Sequence, residues 1–150
     1  MLAANRFRFL SEEHELASAT DWNNADWPRL WTYNLHYFDD LDSAGAPARA
    51  SWHAALIDRW ISENPAPLGA GWEPYCLSLR IVNWCRFAWS GGVLTPEATQ
   101  SLAVQLRALN DQIEVHLLGN HLFANAKALV FGGLYFEGTE ADRWLEIGSR

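Results

Sequence analysis

The chain has 150 residues, of which 49% are hydrophobic; that is enough apolar material for one sizeable buried core and excludes a disordered chain. Acidic residues outnumber basic ones 18 to 11, and the net charge of −7 repels nucleic acid and anionic lipid. The same field opposes a polyanionic ligand, so a site for one has to be locally basic or polar.

The 9 Trp, 7 Phe and 4 Tyr exceed what an ordinary core of this length uses. Such rings fill helical cores and also stack on sugar rings; most of the Trp read as core, with Trp22, Trp27, Trp31 and Trp72 open to either use. Cys76 and Cys85 share one helical stretch, about 13 Å apart along its axis and on opposite faces, so they cannot pair with each other there. No apolar run has the length of a membrane span. Residues Met1 to Leu10 alternate Arg and Phe and show no signal-peptide core.

In chain order, residues 1–45 read as an irregular aromatic-rich segment packing on the helices that follow. Its turn formers are Asp21, Asn23, Asn24 and Pro28, its Leu30 to Leu41 cluster has no clean period, and no strand is expected. Residues 46–150 read as all-α. Pro47 opens a first helix with an apolar face of Trp52, Leu56 and Trp60 and with Ile57 and Ile61 beside it, closed by Asn64-Pro65. A second opens at Pro74, buries Leu77, Ile81, Trp84, Cys85 and Ala88, and stops at Gly91-Gly92. Thr95-Pro96-Glu97 caps a third, whose stripe of Leu102, Leu106, Leu109, Ile113 and Leu117 follows one helical face. A fourth begins at Asn120, with Ala124, Ala126, Ala128, Gly132 and Gly133 as small residues that let neighbouring helices approach. Thr139 with Asp142 caps a fifth, which carries Trp144 and Ile147. Short turns between helices are the grammar of helical hairpins.

The polar pair Asn120-His121 sits between apolar runs at a helix start. Helix N-termini present unpaired backbone donors and a partial positive charge, which favour a docked anion. Cleaving a uronate chain by elimination requires donors that neutralise the carboxylate, a base for the proton alpha to it, and an acid for the leaving oxygen. An amide, an imidazole and a phenol can share those tasks. The plainer alternative makes Asn120 an N-cap and His121 a satisfied first-turn residue.

Three blocks carry a resemblance: Leu30-Trp-Thr-Tyr-Asn-Leu-His-Tyr-Phe-Asp39; Gly71-Trp-Glu-Pro-Tyr75 with Ser78-Leu-Arg-Ile-Val-Asn-Trp84; and Glu114-Val-His-Leu-Leu-Gly-Asn-His-Leu-Phe-Ala-Asn-Ala-Lys-Ala-Leu129. Together they resemble the N-terminal region of heparinase II/III-family proteins. The resemblance implies part of an incomplete (α/α) toroid of helical hairpins, with the downstream toroid helices and a β-sandwich absent from this chain. It further implies a polysaccharide lyase that cleaves uronic-acid-containing chains by β-elimination, inactive alone because the family's catalytic tyrosine lies downstream of Arg150. Asn120 and His121 match its catalytic pair.

Trp72, Tyr75, Arg80, Tyr33 and His36 are candidate substrate-binding residues, and Glu73 and Asn83 secondary ones. Three have a structural alternative: Trp72 as a staple into its own helix, Arg80 in a salt bridge with Glu73 or on an exposed face, His36 packed and satisfied. His116 ends the long helix in this reading. No metal or other cofactor is expected. The expected partners are an acidic polysaccharide and either the missing C-terminal domains or a second copy over exposed helix faces, with neither nucleic acid nor membrane insertion. The resemblance implies a periplasmic or secreted setting, and a cytoplasmic one stays open. A non-catalytic polysaccharide-binding module and a helical scaffold are the competing functions.

Overall fold

The computed structural model describes residues 1–114 and 119–150. Among these, a small antiparallel hairpin, β1 (Arg6–Phe9) and β2 (Glu12–Glu15), precedes six α-helices: α1 (Arg29–Tyr37), α2 (Ala50–Glu63), α3 (Pro74–Trp89), α4 (Pro96–Asn110), α5 (Asn120–Tyr135) and α6 (Thr139–Gly148). The molecule is therefore predominantly helical, while the 1–45 segment is more ordered than its sequence suggests.

The hairpin escapes a sequence reading because its turn is Leu10-Ser11, at φ 52° and 68°. Consecutive positive φ values suit a tight hairpin, but Asn-Gly is the usual way to obtain them. Packing holds this one in place. Phe7 faces inward opposite His14, and the Trp31 indole donates to the Glu12 carbonyl at 3.1 Å. The following α1 buries Trp31, Thr32, Leu35, His36 and Tyr37, a face obscured in the sequence by the aromatic residues around it. Phe38 ends the helix in the left-handed region at φ 62°, a conformation that favours glycine. Its ring is buried edge-on against Trp84 at 5.6 Å, which offsets the backbone cost.

A 3₁₀ turn, Ala46–Arg49, leads into α2, so Pro47 opens that turn and not the α-helix proper. The core forms where α2, α3 and α4 meet: Trp60 lies edge-on to Trp84 at 5.9 Å, and Leu77, Ile81, Leu102, Leu106 and Leu109 are fully buried. Each buried leucine contributes about 1.5–3 kcal/mol. Ala88 is only half-buried, and Cys76 and Cys85 are buried free thiols.

The Thr95 side chain caps α4 by accepting from Ala98 N at 3.1 Å. That helix stops at Asn110, earlier than the apolar stripe predicts: Ile113 lies past its end, and Leu117 and His116 fall outside the described residues. After α5, the short connection 136–138 returns the chain to pack α6 along it, as in a helical hairpin. Gly138 at φ 100° is the N-cap of α6, making Thr139 its first residue instead of its cap. Gly132 abuts Leu106, and Gly133 abuts Leu145 and the Ala141 carbonyl. Small residues do bring α5 close to both neighbours.

Candidate functional site

Gly119, at φ 97°, caps α5. Asn120 is consequently not the cap but the first helical residue, with its side chain exposed beside the N–H groups that a helix start leaves unpaired. No acidic residue lies in that first turn itself, whose positive end favours anions.

His121 follows on the same turn. Its Nδ1 lies 3.1 Å from Glu114 Oε2, and its ring centroid is 4.7 Å from that of Tyr75. Pro74 at the first position of α3 sets Tyr75 at the second. The Tyr75 ring in turn meets Tyr37 edge-on at 6.0 Å, and Tyr33 stands one turn before Tyr37 on α1. An aromatic row thus runs from α1 across the start of α3 to the start of α5. Asn83 ties it down by donating to the Tyr37 carbonyl and to Asp39 Oδ1, both at 2.8 Å.

Tyr33 donates its hydroxyl to the Glu73 carboxylate and accepts from Arg29 Nη2 at 2.7 Å, while Arg29 reaches Glu73 Oε2 at 2.9 Å. Burial, and then the hydrogen bond to Glu73, push the Tyr33 phenol up to about 12. Burial also raises that of Tyr37. Both phenols stay protonated at neutral pH, but the Tyr33 hydroxyl is spent on Glu73 and Tyr37 is buried, so this surface offers the Asn120 amide and one imidazole, and its Arg29 cation is already paired.

Three predicted substrate-binding residues belong to the core instead. His36 is fully buried: Trp60 Nε1 donates to its Nδ1 at 3.0 Å, which makes Nε2 the donor to the Trp22 carbonyl at 2.9 Å. Burial, then the charge of Arg80, lower its pKa to about 3. Arg80 is neither exposed nor paired with Glu73. It is fully buried, donating to Gln105 Oε1, the His36 carbonyl and the Gly71 carbonyl at 2.8, 3.2 and 2.7 Å, with its guanidinium 3.8 Å from the Trp60 ring centroid. Trp72 is 4% exposed, its indole donating to the Asn64 carbonyl at 3.1 Å. It has no face left for a sugar.

The structure therefore gathers Asn120, His121, Tyr75 and, at the far end of the row, Tyr33. Sequence reasoning missed Tyr37 and Glu114 as members. Tyr37 carries a usable signal, since it repeats Tyr33 at helical spacing. Glu114 carries none, because nothing in its local sequence points to a contact with His121. A cleft of about 560 Å³ lined by Asp42, His53, Phe87 and Val93 includes none of this group. Among the described residues no cluster of His, Cys, Asp and Glu is arranged to hold a metal ion, and no helix is long and apolar enough to cross a membrane. Comparison of the chain with protein-family models, with curated proteins and with solved structures found no match.

Proposed function

We propose that this chain is the N-terminal part of a polysaccharide lyase that cleaves uronic-acid-containing chains by β-elimination, with Asn120 and His121 in its cleft. The observation that carries the reading is the seating of His121 between Glu114 and Tyr75, next to an exposed amide at a helix N-terminus. The pairing of α5 with α6 supports the finer architecture, part of an (α/α) toroid of hairpins.

In this mechanism the Asn120 amide and the first-turn N–H groups of α5 hold the substrate carboxylate and take up the charge that develops on it. His121 removes the C5 proton. The C5–H electron pair becomes the C4–C5 double bond as the C4–O4 bond breaks, and O4 takes a proton from a phenol. The family resemblance puts that tyrosine downstream of Arg150, so turnover is proposed for the extended protein.

The test is ultraviolet absorbance of the unsaturated uronate across a panel of uronate polysaccharides. It compares this chain, a version extended through the downstream domain, and the Asn120→Ala and His121→Ala variants of the extended form. Product from the extended protein, reduced about 10²-fold or more in each variant, is the expected result. Folded protein that yields no product from any substrate would sink the proposal. The half-buried Tyr75 ring beside His121 favours one second reading, a binding module, which would show affinity for the same polysaccharides without that absorbance.

A further inference from the structure

Glu114 belongs neither to the aromatic row nor to a helix, yet it is fixed more firmly than its place in the chain suggests. Its backbone N–H donates to Asn125 Oδ1 at 2.9 Å, and Asn125 Nδ2 donates to Ser78 Oγ at 3.0 Å. Asn125 and Ser78 are both fully buried. A buried amide is costly unless both its ends are bonded, and here one end grips α3 and the other holds residue 114. Asn125 also lies one turn beyond His121 on α5, so the group that anchors Glu114 and the ring that Glu114 meets ride on one rigid element.

We propose that Glu114 is a positioning residue: it holds His121 as the Nδ1–H tautomer and leaves Nε2 as the proton acceptor of the site. An ionised carboxylate only accepts hydrogen bonds, so a neutral imidazole facing one at 3.1 Å must donate from Nδ1. The ring has one N–H to give, and Nε2 is left with its lone pair. Free imidazole side chains favour the opposite tautomer, so the arrangement requires this partner. Tyr75 against the ring restricts its rotation. The catalytic consequence rests on the lyase reading; the tautomer does not.

¹⁵N chemical shifts of the His121 ring in mildly alkaline buffer test this on the chain itself. The native protein is expected to show the Nδ1–H form, Glu114→Ala to revert to Nε2–H, and Glu114→Gln, which keeps an acceptor, to retain Nδ1–H. Far-ultraviolet circular dichroism checks that helicity is unchanged in the variants. In the extended protein Glu114→Ala is expected to lower kcat about 10²-fold with KM little changed, and Glu114→Gln to recover part of it. A native Nε2–H ring, or a tautomer indifferent to Glu114→Ala, overturns the proposal whatever the activity. A tautomer that follows Glu114 in a protein without lyase product leaves the positioning standing and removes the lyase reading.

Discussion

At the scale of single residues, the charge that matters most to the fold sits where no carboxylate balances it. Arg80 is held by two carbonyls, an amide oxygen and the π face of Trp60. Burial lowers its pKa only to about 9, so it stays charged at neutral pH. Arg80→Met keeps much of the volume but leaves three buried acceptors unpaired, and we expect a loss of about 3 kcal/mol or more in urea unfolding. Arg80→Lys should not rescue it, because an ammonium cannot reproduce the planar fork; near-native stability in either variant would contradict this account. His36 supplies a pH dependence. Its ring stays neutral in the folded state down to about 3, against an ordinary value of 6.5, so between those limits the unfolded chain binds one proton more. Stability from this residue is present above pH 6.5 and is lost as pH falls, by up to about 1.4 kcal/mol per unit. His36→Asn should be less stable overall yet show a correspondingly shallower slope over that window; an unchanged slope would show that the ring titrates normally.

At the scale of elements, legibility followed the source of each element's order. The starts of α3 and α4 are written locally, by Pro74 and by Thr95-Pro96, and α5 begins at the Asn120 that the pattern indicates. The hairpin turn at Leu10-Ser11 and the left-handed Phe38 are imposed by packing with residues distant in sequence, and no local signal announces them. The same distinction divides the site: Asn120 and His121 are adjacent and polar, hence visible, whereas the buried state of Arg80, His36 and Trp72 depends on three elements closing over them. Gly132 and Gly133 lie between these cases, since their smallness was evident but the neighbours that need it were not. Gly133→Ala places a methyl group 2.7 Å from the Ala141 carbonyl oxygen and 2.8 Å from Leu145 Cβ. In an open helix interior that change stabilises by up to about 1 kcal/mol. Here α5 and α6 must part, and we expect destabilisation of about 1–3 kcal/mol in thermal unfolding; a gain in stability would mean that the two helices are not packed this closely.

For the whole molecule, the net charge of −7 and the proposed polyanionic substrate oppose each other at long range. The candidate site does little to reverse that field: Arg29 is paired with Glu73, and Glu114 faces His121. What it offers the substrate carboxylate is an amide, the Tyr75 phenol and a helix N-terminus, groups that act at hydrogen-bond distance and attract little from afar. Proteins that seize polyanions with basic grooves lose affinity as salt rises, because they release counterions on binding. The opposite is expected of the extended lyase if its added segments leave this charge balance in place. Screening shrinks the field from about 30 Å at 0.01 M salt to about 10 Å at 0.1 M, so repulsion weakens while the short-range bonds persist. Initial rates at substrate concentrations far below KM should therefore rise as salt is added across that range, with kcat nearly constant. A steep fall instead would assign substrate capture to cations beyond the residues described here, and would make the Asn120 and His121 turn a place for chemistry more than for binding.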